Sequence, residues 1–140
     1  MNQGDVYGGS VERHSSGVLV ASYTVIPTAP RPGAAPAPFV VSSYEIYQMP
    51  TGNGKVILFY DATAAPAAGT AWFGNTDPTK NVQWMAPITG NGIFLFNPGP
   101  AGHRYLKGCT IVMSAGTDVT QLQLATANSL MCVDGFPWLV

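Results

Sequence analysis

Charge is what this chain has least of. Asp, Glu, Lys and Arg make up 9% of its 140 residues, against about 25% in ordinary soluble domains. The six basic residues, Arg13, Arg31, Lys55, Lys80, Arg104 and Lys107, are scattered. Without a basic stripe, no nucleic-acid partner is expected. Apolar runs stay well short of the roughly 18 residues a membrane span needs, so no membrane partner is expected either. Cys109 and Cys132 are the only cysteines. Two cysteines without nearby histidine cannot build a four-ligand zinc site. Both sit in apolar runs and read as buried free thiols, with a disulfide between adjacent strands as the alternative.

Groups that carry chemistry are equally sparse. The two histidines are His14 and His103, and neither neighbours a Ser or Cys nucleophile in a strand–turn–helix context. The acids Asp5, Glu12, Glu45, Asp61, Asp77, Asp118 and Asp134 are single and widely spaced. Several stand where an Asp side chain commonly bonds the backbone of a turn. There is no phosphate loop and no GxGxxG fingerprint. The opening residues Met1–Asp5 have neither the basic nor the apolar region of a secretory leader, so synthesis and folding in a cytoplasm are expected. No catalytic residue, cofactor or metal is nominated.

What the chain does have is short β-type runs set between turn residues. Thr51-Gly52-Asn53-Gly54 leads into Lys55–Tyr60, and Thr89-Gly90-Asn91-Gly92 leads into Ile93–Phe96. Both read as hairpin signals, and the two apolar runs they introduce as the middle of the fold. Lys55–Tyr60 is apolar on both faces, as for a strand central to its sheet or covered by a partner. Further strands are expected at Gly17–Ile26, Phe39–Tyr47, Thr70–Phe73, Val82–Met85, Cys109–Ser114, Thr120–Leu124 and Leu130–Val133. In Thr120–Leu124, Leu122 and Leu124 are expected to point inward. No stretch carries a 3.6-residue period. Short strands with turn signals about every ten residues predict an all-β fold, an antiparallel β-sandwich of jelly-roll type.

Residues 1–16 read as an N-terminal arm and 17–140 as one sandwich domain. Within it, 27–38 holds five of the twelve prolines and reads as an extended strap running over the surface. The apolar end, residues 136–140, must dock on its own core or on another subunit. A charge-poor surface points to a subunit of an assembly, the alternative being a domain with a neutral polar surface. The contact elements nominated are therefore the arm (Val11, Arg13), the strap (Pro30, Arg31, Pro32) and the tail (Phe136, Trp138, Leu139).

The stretch Tyr60-Asp61-Ala62-Thr63-Ala64-Ala65-Pro66-Ala67-Ala68-Gly69-Thr70 resembles a Tyr-Asp/Asn-x-x-x-x-Pro-x-x-Gly-Thr signature of small β-sandwich proteins in tailed-bacteriophage virions. The resemblance continues through Met85–Ile88, Gly90-Asn91-Gly92 and Lys107–Val112, and spans roughly residues 39–125. In physical terms Asp61 can cap the turn leaving its strand, Pro66 stiffens the crossing, and Gly69 supplies a left-handed residue. The resemblance implies a head decoration, or cement, protein on the capsid surface. It implies the major capsid protein and other copies of the chain, as a trimer, for partners, and neither catalysis nor cofactor. A second reading is a carbohydrate-binding module on a tail fibre or capsid, with Trp72, Trp84, Tyr44, Tyr47 and Tyr60 as a stacking platform. A hydrolase using His103 with Asp118 or Asp134 is a distant third.

Overall fold

A computed structural model describes residues 11–29 and 31–138 of the chain. Among these residues nine strands divide between two antiparallel sheets. In the first, β1 (Glu12–Ser15), β9 (Ser129–Pro137), β3 (Phe39–Gln48) and β6 (Gly92–Phe96) lie side by side in that order, and the short β7 (His103–Tyr105) also pairs with β3. In the second, the order is β2 (Ser22–Val25), β8 (Cys109–Ser114), β4 (Val56–Asp61), β5 (Trp84–Pro87). With β7 set aside, each sheet holds four strands. Consecutive strands then cross between sheets everywhere except from β4 to β5. This is the double-sheet jelly roll that the strand and turn pattern predicts.

That topology corrects the reading of the repeated Thr-Gly-Asn-Gly. The first copy joins β3 to β4 and the second joins β5 to β6, so each crosses from one sheet to the other and neither is a hairpin. Their glycines also serve different ends. Gly90 and Gly92 have positive φ, 72° and 131°, where a side chain is strained. Gly52 and Gly54 do not. There the backbone passes so close to its neighbours that a Cβ on Gly54 would lie 2.3 Å from Met113 Cγ. Between the two segments sits Gln48, the last residue of β3 and 1% exposed. Its Oε1 accepts from Gly54 N at 2.7 Å, and its Nε2 donates to Gly90 O at 2.8 Å and Gly54 O at 3.3 Å. One amide thus ties both crossings together at the same end of the sandwich.

Two apolar clusters hold the fold. Between the sheets lie Phe39, Val41, Tyr44, Ile46, Ile57, Phe59, Ile111, Met113, Met131 and Val133. On the far face of the second sheet lie Val56, Leu58, Tyr60, Ala62, Trp72, Val112 and Leu122. The strand β4 is apolar on both faces because it serves both clusters, and its outer cover is the chain's own loops rather than a partner. Those loops bond to each other. Gly69 N donates to Leu122 O, Leu122 N to Thr70 O, and Trp72 N to Val119 O, all within 3.0 Å. The Trp72 indole N–H donates to Asp118 O at 2.8 Å.

Several expected elements take other forms. Thr70–Phe73 and Thr120–Leu124 are loop rather than strand; the latter keeps one isolated bridge, Ser114 to Leu124. Leu122 points inward as expected, but Leu124 is exposed. The strand expected over Gly17–Ile26 shortens to β2, preceded by the bridge Val20 to Ser129. The strand expected over Ile93–Phe96 is β6, but it is an edge strand, not the middle of the sandwich. In the arm, Glu12–Ser15 is built into the sheet as β1, paired with β9 from Gly135 to Cys132. The described part of the strap folds back on itself, with Ala34 N bonded to Arg31 O and Ala37 N to Thr28 O, in place of one extended run.

The cysteines stay apart. Cys109 is buried in β8 against the inter-sheet core and Cys132 lies on the outer face of the other sheet, so both are free thiols. Burial pushes the Cys109 thiol pKa up to about 12. Labelling of the native protein with a thiol-specific disulfide reagent is therefore expected to modify Cys132 alone, with Cys109 reacting only after denaturation. Two fast-reacting thiols per native chain would contradict this arrangement.

Candidate functional site

The carboxylates among the described residues are committed to structure. Asp61 accepts from three backbone donors, Leu106 N (3.2 Å), Lys107 N (2.7 Å) and Gly108 N (3.2 Å). It caps the distant turn into β8, rather than the turn leaving its own strand. Gly69 has the left-handed φ expected of it, 88°. Asp77 is held below the usual carboxylate range by the hydroxyl and backbone N–H of Thr79, and Asp118 by those of Thr120. Asp134 accepts from Ser43 Oγ at 3.1 Å and lies 3.5 Å from Arg13 Nε, and Glu45 pairs with the same guanidinium. Glu12 lies 3.3 Å from His14 Nε2.

His103 meets no carboxylate in this network. Its Nδ1 shares a hydrogen bond of 3.1 Å with the Tyr44 hydroxyl, which in turn bonds the Tyr105 hydroxyl. Burial raises both tyrosine pKa values and lowers that of His103. Tyr44, Phe59, Trp84, Phe96 and His103 pack edge to face around this group, with Phe59 and Trp84 stacked at 3.8 Å. These contacts wedge the two sheets together near β7. The hydrolase pairing of His103 with Asp118 or Asp134 does not form. Among the described residues no three His, Cys, Asp or Glu side chains gather to hold a metal ion.

The aromatic platform does not form either. Tyr44, Tyr60 and Trp72 are buried, and Trp84 gives a ring face to Phe59. Tyr44, Tyr60 and Trp72 therefore offer no open ring face for a sugar to stack on, while Trp84 is half-buried beside the Phe73 loop and Tyr47 lies apart from it on the outer face of the other sheet.

The nominated contact residues fare unevenly. Val11, Arg31 and Pro32 are exposed. Arg13 is half-exposed but engaged with Glu45 and Asp134. Phe136 is a correction: it is fully buried opposite Val40 in the β3–β9 pairing, so it belongs to the fold and not to a contact surface. Trp138 is half-buried, its backbone N bonded to Pro38 O at 2.7 Å and its ring 4.8 Å from the Arg104 guanidinium. Pro30 and Leu139 lie outside the described residues, as does the arm before Val11.

What sequence reasoning missed is apolar surface. Beside β5, Trp72, Phe73, Val82, Met85 and Val119 line an open groove of about 490 Å³, and Phe73 in it is 71% exposed. On the outer face of the other sheet, Ile93 stands beside Tyr47, which stands beside Leu130; Leu95 stands beside Glu45, which stands beside Cys132. A shallow hollow of about 330 Å³ lies among them. Ile93 is 60% and Leu95 70% exposed. The signal was present in β6, whose residues are apolar on both faces. On a sheet whose outer face is uncovered, such a strand leaves one apolar face in water. No helix among the described residues is long and apolar enough to cross a membrane. No family model, curated protein or solved structure matches this chain.

Proposed function

We propose that this chain is a non-enzymatic structural subunit of a tailed-phage virion, a decoration protein that strengthens the head by bridging major capsid subunits. It needs no cofactor and takes neither nucleic acid nor membrane as a partner. It is made in the host cytoplasm and ends on the capsid surface, at the threefold positions that the resemblance implies. The observation that carries the reading is a core closed by the chain's own loops beneath a surface that is both charge-poor and apolar in patches. A closed core has no need of those patches, and a subunit that buries them against a shell does. The phage assignment itself rests on the resemblance of residues 39–125, which includes the loop that closes the second cluster.

The groove of Phe73, Met85 and Val119 is the face assigned to the capsid subunit. Each contact is weak alone and gains by repetition over a symmetric shell. Purified protein added to capsids that lack it is expected to bind in hundreds of copies and to raise their resistance to heat. The double variant Phe73→Ser, Met85→Ser is expected to bind at least tenfold more weakly while keeping the wild-type melting temperature. Failure of the wild type to bind such capsids would sink the proposal. Unchanged binding by the double variant would remove the groove from it.

A further inference from the structure

The four sheet edges of this fold are not equally protected. An edge strand offers unpaired N–H and C=O groups, and natural proteins guard it with charge, proline or brevity. The edge strand β1 carries Glu12, Arg13 and His14; β5 ends in Pro87; and β2 has four residues and runs into Pro27. The fourth edge, β6, Gly-Ile-Phe-Leu-Phe, also runs into a proline, Pro98, but it is the longest of the four and holds neither charge nor proline within the strand. Its far side pairs with no strand among the described residues.

We propose that β6 pairs with β6 of a second copy of this chain, antiparallel across a two-fold axis at Phe94, joining the two first sheets into one. The sequence of the strand is complementary to itself in that register. Ile93 of one copy faces Leu95 of the other on the outer face, and does so twice. On the inner face Phe94 meets Phe94, and Phe96 lies beside Gly92 of the other copy. Among the described residues, its two chain neighbours aside, nothing lies within 4 Å of where a Cβ on Gly92 would stand, which leaves room for that phenyl ring. An aromatic covering an edge glycine is a known way to fix strand register.

Charge also favours a second copy. The strand holds no ionic group, and the one charge in the adjoining row, Glu45, is already paired with Arg13. Two identical faces can therefore meet without burying like charges. Five residue pairs alone fall short of the roughly 800 Å² per partner that a stable interface buries. Tyr47 and Leu130 extend the apolar strip inward from the edge, and the dimer expected is a micromolar one. The contact does not rest on the virion reading. It joins copies in pairs, including one from each of two neighbouring threefold sites.

Sedimentation of the full chain over the micromolar range tests the contact. The expected result is a monomer–dimer equilibrium, weakened at least tenfold by Leu95→Lys, a change at an exposed side chain that leaves the melting temperature unchanged. Register is tested by oxidation in a Cys132→Ser background. A mixture of Ile93→Cys and Leu95→Cys chains is expected to cross-link faster than either alone, since opposed Cβ atoms lie about 5 Å apart. A wild type that stays monomeric overturns the proposal. So does an oligomer that Leu95→Lys leaves unchanged, or a Leu95→Cys chain that links fastest to itself.

Discussion

Replacing Trp72 by alanine is expected to lower stability by about 3–5 kcal/mol, the range for removing a large buried aromatic side chain. The side chain is 2% exposed and fills the cluster on the outer face of the second sheet with Leu58, Tyr60, Val112 and Leu122. Its loss does more than open a cavity. The indole N–H no longer reaches Asp118 O, so the two loops that close the cluster lose a side-chain tie. Unfolding in urea, with the melting temperature as a second measure, reads the effect; a fall on the order of 10 °C is expected. The neighbouring variant Phe73→Ala is the control. Phe73 is exposed, and its truncation is expected to change stability by no more than about 0.5 kcal/mol. Similar losses at the two positions would mean that the loop does not pack as described.

That contrast between adjacent aromatics shows where the sequence was legible and where it was not. The all-β class, the sandwich and most strand positions follow from short runs and turn residues, because those are local properties. The two-faced apolarity of β4 was also visible. What covered it was not, since Trp72 and Leu122 reach it from loops with no periodicity of their own. The expected strands at Thr70–Phe73 and Thr120–Leu124 fail for a related reason. Their backbone groups bond across to each other, loop to loop, at scattered positions instead of along a ladder.

Strand β3 shows a second limit. Strict alternation puts Val41, Ser43, Glu45 and Tyr47 on one face, yet Val41 is in the core with Tyr44 and Ile46. The β3–β9 register shifts between Val41 and Ser43, where Ser42 Oγ donates to Asp134 O at 3.1 Å. One extra residue flips every side chain beyond it, and nothing local in Val-Val-Ser-Ser-Tyr announces the bulge. The candidate surfaces were hidden in the same way. Ile93, Leu95 and Met85 look like core residues until the topology puts β5 and β6 at edges, and Phe73 does so until its stretch proves to be loop.

The second large effect is expected at Gln48, and it too depends on a long-range arrangement. Gln48→Ala is expected to cost about 2–4 kcal/mol, because each buried backbone group left without a partner costs about 1–3 kcal/mol. The groups concerned are Gly54 N, Gly54 O and Gly90 O, one from each crossing but for the doubled Gly54. Gln48→Glu separates hydrogen bonding from size. A carboxylate can still accept from Gly54 N but cannot donate to Gly90 O, and at 1% exposure its charge has no counter-ion among those three partners. Burial and the two carbonyls would raise its pKa in the folded state above the unfolded value of about 4.3. A group so shifted binds more protons folded than unfolded, so stability falls as pH rises through that interval. The variant is therefore expected to be less stable than Gln48→Ala at pH 7 and to recover as the pH is lowered toward 5, where the carboxylic acid can donate. Thermal melts of wild type, Gln48→Ala and Gln48→Glu at both pH values measure this. A Gln48→Glu protein as stable as wild type at pH 7 would mean that the two Thr-Gly-Asn-Gly crossings hold themselves in place without the amide between them.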